Sequence, residues 1–207
     1  TVICFLIFFG FTAVFGEDAD DIISKVQKKY KSAEDIVIHF SRVFTWSLSG
    51  RTNTLKGKIY IKGEKFIKYE TDDQVFVTDG KDVWSYSSAT NQTIVDVYKP
   101  DEDEFLPREL IFNFHKRYES KYMKREKIGD VNCYVIEAVP KTDNEIQFLK
   151  VWIDSKRLTT VKIEYTNIND DVITYNIFKI SFDNNLNKGF FSFKSPQGAE
   201  IIDLRNQ

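Results

Sequence analysis

The sequence predicts a mainly β protein with some helix, built on one strongly curved antiparallel sheet of about eleven strands. Aromatic residues make up 15% of the chain, and most of them are Phe and Tyr, which favour strands. Short alternating segments follow one another with turn residues between them, which is typical of an antiparallel meander and not of βαβ units. Because a flat open sheet of that many strands is unfavourable, we expect an incomplete barrel.

Length and charge narrow the classes of function. The chain has 207 residues, which suits a single domain, and its 42% of hydrophobic residues suffice for a core. The formal net charge is −2, with 29% charged residues. Because no basic stripe stands out, this composition argues against nucleic acid as a partner.

The first sixteen residues predict a signal peptide. Val2 to Gly16 carries no charge, and acids follow abruptly from Glu17. An apolar run of roughly 15 residues is short for a membrane span but suits the core of a signal peptide. We therefore expect a signal at 1–16 and an exported, soluble domain at 17–207, the alternative being an uncleaved anchor. Cys133 would then be unpaired, with a buried and inert thiol.

A helix is expected first in the mature chain. Asp20 and Asp21 suit a helix start, because acidic side chains are favourable at the positive N-terminus. Apolar residues then recur at helical spacing, opposite a lysine-rich face, so the helix needs a surface on which to bury them. This apolar stripe consists of Ile22, Ile23, Val26 and Tyr30.

The strand at 36–46 has one strongly apolar face that includes a cation. Read at period two, this face carries Ile36, Ile38, Phe40, Arg42, Phe44 and Trp46. A guanidinium cannot shed its proton, so Arg42 needs acceptors or water nearby. Either it reaches outward and pairs with a carboxylate, or the face borders a cavity whose one cation holds a movable element by hydrogen bonds.

A meander follows. Strands are expected at 55–62, 65–70, 74–78, 82–86 and 93–98, and Asp79-Gly80 is the strongest hairpin signal in the chain. Further strands are expected at 121–128, 131–139, 147–153, 158–166 and 171–182, with two closing segments at 190–193 and 196–202.

Between these two sets of strands, the segment at 99–113 interrupts the pattern of short strands and turns. An acidic loop precedes Pro107, and the apolar residues around it predict one or two short helices. Such helices could plug one end of a core or form a lid over the apolar face of the sheet. The expected lid side chains are Phe105, Leu106, Leu110, Ile111 and Phe114.

Signals for catalysis are poor. His39 and His115 do not form a ligand-spaced cluster, and no phosphate loop, nucleophile elbow or paired-cysteine motif occurs. We therefore expect no enzyme activity, no metal and no cofactor. An aromatic-rich curved sheet with apolar helices favours a carrier of an apolar ligand. We expect its cavity to be lined by Ile36, Ile38, Phe40, Phe44, Trp46, Ile59, Ile61 and Trp84.

Four stretches in order are similar to a known family. They are Phe40–Val43, with the sequence Phe-Ser-Arg-Val, Gly57–Lys62, Val77–Tyr86 with its Asp-Gly-Lys and Trp, and Phe193–Gly198. Together they resemble the periplasmic outer-membrane lipoprotein carrier family, LolA, over nearly the whole mature chain. Many members of that family have Gln where this chain has Ser41.

The resemblance implies an incomplete barrel with helices lidding a hydrophobic cavity that binds the acyl chains of lipoproteins. It implies a monomeric periplasmic carrier, which accepts cargo from an inner-membrane ATP-driven releasing complex and delivers it to an outer-membrane acceptor. Arg42 would be a latch that holds the lid shut. The alternative is a lipid- or lipoprotein-binding sensor domain of the same fold that regulates a periplasmic protein.

Overall fold

The computed structural model describes residues 18–99, 113–142 and 145–205 as a single curved sheet with few helices. The order across the sheet is β12-β6-β5-β4-β3-β2-β1-β11-β10-β9-β8-β7, and the sheet does not close. Neighbouring strands are antiparallel, apart from β12, which runs parallel to β6. The predicted fold class is confirmed, with twelve strands in place of about eleven.

The bounds of the elements are as follows. The strands are β1 (Ile36–Thr45), β2 (Thr52–Lys62), β3 (Phe66–Thr71), β4 (Gln74–Asp79), β5 (Asp82–Ser87), β6 (Gln92–Val97), β7 (Tyr118–Ile128), β8 (Val131–Pro140), β9 (Ile146–Asp154), β10 (Thr160–Asn167), β11 (Val172–Phe182) and β12 (Glu200–Asp203). The helices are α1 (Ala19–Ser32), α2 (Phe114–Arg117) and a 3-10 helix (Lys188–Phe191). No helix in these described ranges is long and apolar enough to cross a membrane.

Helix α1 forms where the acidic pair predicts it and covers the inner, concave face of the sheet. The Asp18 carboxylate caps its start by accepting a hydrogen bond from the Asp20 backbone N–H at 3.0 Å. At the other end, the Tyr30 hydroxyl accepts a hydrogen bond from the Thr160 N–H at 3.1 Å, and the Tyr30 ring meets Phe182 edge-on. These contacts fix the helix over β10 and β11.

The core lies between α1 and the inner face. It combines residues of α1, such as Ile22 and Ile23, with alternate residues of β1, β2 and β8 to β11. Within it, Gly57 makes room for the Phe40 ring, because a Cβ at Gly57 would lie 2.7 Å from the Phe40 Cζ. The predicted hairpin at Asp79-Gly80 is also present, with Gly80 at a φ of 86° that favours glycine.

The closing segment at 190–193 is not the strand that we predicted. Phe190 and Phe191 belong to the 3-10 helix, which packs on the outer, convex face of β3 and β4. In a strand the two rings would point to opposite sides. The helical turn instead lets both contact the sheet, with Phe190 4.8 Å from Tyr60 and Phe191 5.7 Å from Phe66 between ring centroids.

A buried carboxylate ties the start of β1 to the loop after β11. Asp35 accepts hydrogen bonds from the backbone N–H and side-chain amide of Asn184, at 2.7 and 2.9 Å, and from the Leu186 N–H at 2.8 Å. Burial raises the pKa of Asp35, but the hydrogen bonds from Asn184 and Leu186 outweigh burial and hold this pKa below its ordinary value. The ionised form is therefore the one that stabilises the fold.

We predict that Asp35→Asn lowers the free energy of unfolding at neutral pH by about 2–4 kcal/mol, because an amide N–H would face the Leu186 N–H. A depressed carboxyl pKa contributes stability above the unfolded-state value near 3.9, which is lost as pH falls through the folded value. Urea unfolding at pH 7 and pH 3 should therefore show a smaller difference between variant and wild type at pH 3. Asp130→Asn, at a fully exposed side chain, is the control; equal effects of the two variants would contradict the assignment.

Candidate functional site

The candidate site is built around Arg42 on the inner face of the central strand β1. In the sheet, Arg42 lies directly opposite Leu55 on β2 and Tyr175 on β11. Residues directly opposite each other point to the same side of a sheet, so the cation shares this face with an aliphatic and an aromatic side chain. Arg42 is half-buried there.

Among the described residues, the polar neighbours of Arg42 are tyrosines. The Arg42 guanidinium acts on the Tyr175 hydroxyl by its charge and as a hydrogen-bond donor, and both effects lower the pKa of Tyr175 against the larger effect of burial. The Arg42 Nε is buried without a hydrogen-bond partner, and no described carboxylate lies within ion-pairing distance of Arg42. One of the two interpretations of Arg42 was that it pairs with a carboxylate. The described residues contain no such pair.

The tyrosines do not supply a negative charge. Burial raises the pKa of Tyr69 to about 12, although the positive charge of Arg42 acts in the opposite direction. Burial also raises the pKa of Tyr165 and of Tyr175, again against the opposing effect of Arg42. At neutral pH all three hydroxyls are protonated, so the cation is surrounded by neutral groups.

The Phe40 ring packs beside this cluster, on the helix-covered side of Arg42. Its centroid lies 5.5 Å from that of Tyr69, in a stacked arrangement, and 5.5 Å from that of Tyr175. Contacts of this kind between aromatic rings favour fixed relative orientations. Phe40 therefore fixes the positions of the Tyr69 and Tyr175 rings from the side of the core.

Beyond Arg42 the inner face opens into a cavity of about 380 Å³ over β3 to β6. This volume falls within the range of about 300–1,000 Å³ that is usual for ligand pockets. Its wall combines aromatic and aliphatic side chains with small polar ones. The lining residues are Arg42, Tyr69, Gln74, Val75, Phe76, Ser85, Tyr86, Ser87, Thr90, Gln92, Ile94 and Tyr175.

Most of the predicted lining residues pack into the core and not around this cavity. The five buried ones are at most 5% exposed and lie in one hydrophobic cluster with the apolar stripe of α1. They are Ile36, Ile38, Phe40, Ile59 and Ile61. Phe44 is half-buried beside that cluster, and Trp46 follows it with its ring centroid 4.8 Å from that of Phe44.

Trp84 was expected in the cavity, but the strand register places it on the outer face. It lies opposite Val77, which in turn lies opposite Lys68. Lys68 extends over the Phe190 ring of the 3-10 helix, at 4.8 Å from the ring centroid, which identifies this side as the outer one. Trp84 thus belongs to an apolar surface on the outer face. The alternation of apolar and polar residues alone could not distinguish this surface from the apolar inner face.

The predicted lid lies largely outside the described residues. Phe105, Leu106, Leu110 and Ile111 belong to that part of the chain, as does the predicted signal peptide at 1–16. Phe114 is described: it begins α2, is buried in the core cluster, and its ring lies 5.3 Å from that of Tyr118.

Sequence reasoning missed several residues of the site. Tyr175, Tyr69, Phe76 and Ile94 were not singled out, although each falls on an alternating apolar face of its predicted strand. The signal that could have found Tyr175 is cross-strand register, because it lies directly opposite Arg42. In the described part of the chain, no group of three or more His, Cys, Asp or Glu side chains is arranged to hold a metal ion.

Comparison with known proteins places this half-barrel in a family. A family model described only as "uncharacterized protein" matches residues 59–180, more than half of the chain, and the chain belongs to that family. An uncharacterized protein of Methanocaldococcus jannaschii is 24% identical over 193 residues, covering 89% of this chain and 54% of the relative. The chain thus spans about half the length of that relative.

Two further comparisons bear on the predicted resemblance. The outer-membrane lipoprotein carrier protein of Francisella tularensis is 24% identical over 213 residues, covering 98% of this chain and 96% of the relative. An uncharacterized conserved protein from Thermus thermophilus has the same fold, with a TM-score of 0.62 at 10% identity, covering 90% of this chain and 99% of that one. The resemblance to the lipoprotein carrier family is confirmed by the full-length match.

We predict that the side chains of Arg42 and Tyr175 are energetically coupled. Tyr175→Phe or Arg42→Leu alone should lower the free energy of unfolding by about 1–3 kcal/mol, because each leaves a buried polar group without its partner. The double variant should lose less than the sum of the two, since replacing both partners by apolar groups can be nearly neutral. Urea unfolding of the four proteins gives the coupling energy, and strictly additive losses would show that the two side chains do not interact.

Proposed function

We propose that this protein is a periplasmic carrier that binds lipoproteins by their acyl chains and moves them from the inner to the outer membrane. The observation that carries the proposal is the cavity of about 380 Å³ on the inner face, which continues from an apolar core and contains one cation, Arg42. The name of the full-length Francisella relative supports a lipoprotein as the cargo.

The chemistry of the wall suits an acyl chain. Its tyrosine hydroxyls are neutral at physiological pH, and Phe76 and Ile94 provide apolar surface. Each CH₂ group removed from water contributes about 0.8 kcal/mol, so several acyl chains supply ample affinity without covalent chemistry. The proposed activity is therefore binding and transfer, not catalysis.

Arg42 is the proposed latch of the empty state. Its unpartnered Nε is a donor available for an acceptor outside the described residues, and the proposed acceptors are backbone carbonyls of the lid segment at 105–114. Acyl chains that enter the cavity would displace those hydrogen bonds. The cost of opening lowers the affinity to a level from which cargo can be released.

The proposed route has a protein partner at each end. A signal at 1–16 would direct export, an inner-membrane ATP-driven complex would load the carrier, and an outer-membrane acceptor would receive the lipoprotein. The carrier would act as a monomer.

We predict that Ile94→Glu weakens binding of a synthetic triacylated peptide by at least about tenfold, because a carboxylate in the cavity must be desolvated or excludes the chain. Ile94 lines the cavity and is 41% exposed, so the change should leave the fold intact. Val97→Glu is the matched control: it lies on the same strand, is 44% exposed and does not line the cavity. Competition with an apolar fluorescent probe measures both, and equal binding by the two variants would exclude this cavity as the acyl site.

We predict that Arg42→Leu accepts lipoprotein at least as well as wild type but delivers it poorly. Without the guanidinium the closed state no longer competes with the loaded one, so cargo is retained. A two-step transfer assay scores release from inner membranes and delivery to the acceptor separately. Normal delivery by the folded variant would make Arg42 an ordinary structural residue.

A further inference from the structure

Three large apolar side chains are exposed on two adjoining turns at one end of the sheet. Leu48 is fully exposed at the tip of the β1–β2 turn, and Trp46 at the base of the same turn is 42% exposed. Ile168, in the β10–β11 turn, is 62% exposed. We call these three side chains the apolar rim. Single exposed apolar residues are common, but grouped ones mark an interaction site.

The rim is held in a fixed arrangement. The Trp46 N–H donates to the Arg51 carbonyl at 3.0 Å, which closes the β1–β2 turn. Ser47 joins this turn to the neighbouring one: its N–H donates to the Asp171 carboxylate at 2.9 Å, and its hydroxyl donates to the Asn169 carbonyl at 2.9 Å. The exposed side chains therefore extend from a preformed surface, and little conformational entropy is lost when they are buried.

The rim is continuous with the cavity. Arg42 lines the cavity, and Phe44 and Trp46 follow it at period two along the same face of β1. The rings of Phe44 and Trp46 are in contact, with centroids 4.8 Å apart, and Leu48 lies two residues further on. An aromatic track thus leads from the cavity to the tip of the turn.

The low charge of the β1–β2 turn favours a lipid surface over water. From Val43 to Leu55 the only charged residue is Arg51, a cation, in a chain with 29% charged residues. The acids of the neighbouring turn are engaged within the protein: Asp171 accepts from Ser47, and Asp170 accepts from the Gln147 amide at 3.0 Å. Trp and Leu are residue types that enter the interfacial layer of a bilayer, and the β1–β2 turn that carries them has a single charge.

We propose that the apolar rim inserts into the interfacial layer of a lipid bilayer, so that acyl chains pass between membrane and cavity along the Phe44–Trp46 track. The partner is the lipid surface itself, in addition to any protein partner. The identity of the cargo in this inference rests on the proposed function, but the attachment of the rim to lipid does not.

The test is sedimentation of the full chain with vesicles of phosphatidylcholine, with and without a minority of phosphatidylglycerol. Wild type should bind both kinds of vesicle, and not more tightly to the anionic ones, because the carboxylates of Asp170 and Asp171 oppose the charge of Arg51. Leu48→Ser should reduce the partition coefficient about tenfold or more, as expected for withdrawing one large aliphatic side chain from lipid. The fluorescence of Trp46 should shift to the blue on binding, a change that Trp46→Phe removes.

The matched control is Ile201→Ser on the edge strand β12, because Ile201 is 59% exposed, close to the 62% of Ile168, and lies away from the rim. Ile168→Ser should weaken vesicle binding and Ile201→Ser should not. Failure of wild type to bind either vesicle, or unchanged binding by Leu48→Ser, would overturn the inference. Binding of triacylated peptide in the absence of vesicles separates the two proposals. Leu48→Ser should bind this peptide as well as wild type does. If wild type does not bind the peptide, the proposed carrier function is refuted, and the inference about the lipid surface is not.

Discussion

A permanent positive charge on the inner face of the sheet is the constraint on which the arrangement of the site depends. Arg42 cannot be neutralised, and the tyrosines beside it stay protonated, because burial raises their pKa more than the cation lowers it. A charge among neutral groups must keep access to acceptors or water. Along this face of β1 the fully buried residues therefore end at Phe40, and Arg42, the next residue on the face, lines the cavity.

This boundary divides the half-barrel into two parts with different roles. On one side, α1 lays its apolar stripe over the inner face and buries residues such as Ile36 and Ile38 almost completely. On the other side, β3 to β6 present aromatic and small polar side chains to a cavity. The two parts share the strand β1, so the element that anchors the core also carries the cation of the site.

Strands and turns could be predicted from the sequence where one local signal, such as alternation or turn chemistry, dominated. The direction in which a strand's side chains point could be predicted only where one face of the strand is apolar. The strand predicted at 36–46 is observed at Ile36–Thr45, and the Asp79-Gly80 hairpin forms where its turn chemistry requires it. Trp84 was assigned to the wrong face because the outer side of this part of the sheet is also apolar, with Val77 opposite Trp84 and the 3-10 helix packed on β3 and β4. Tyr175 was missed because strand register between distant segments is not encoded in local alternation.

The division into a packed and an open part would let the proposed carrier release an apolar ligand without losing its fold. The surface that α1 buries is apolar and never faces the cavity, so its contribution to stability is the same with and without cargo. The cavity wall is mixed, with Ser85 and Gln92 beside Phe76, and it can face water when empty at a lower cost than an all-apolar wall. Only Tyr69, Phe76 and Tyr175 belong to both parts, so in the proposed carrier the affinity for acyl chains could be moderate while the half-barrel remains stable.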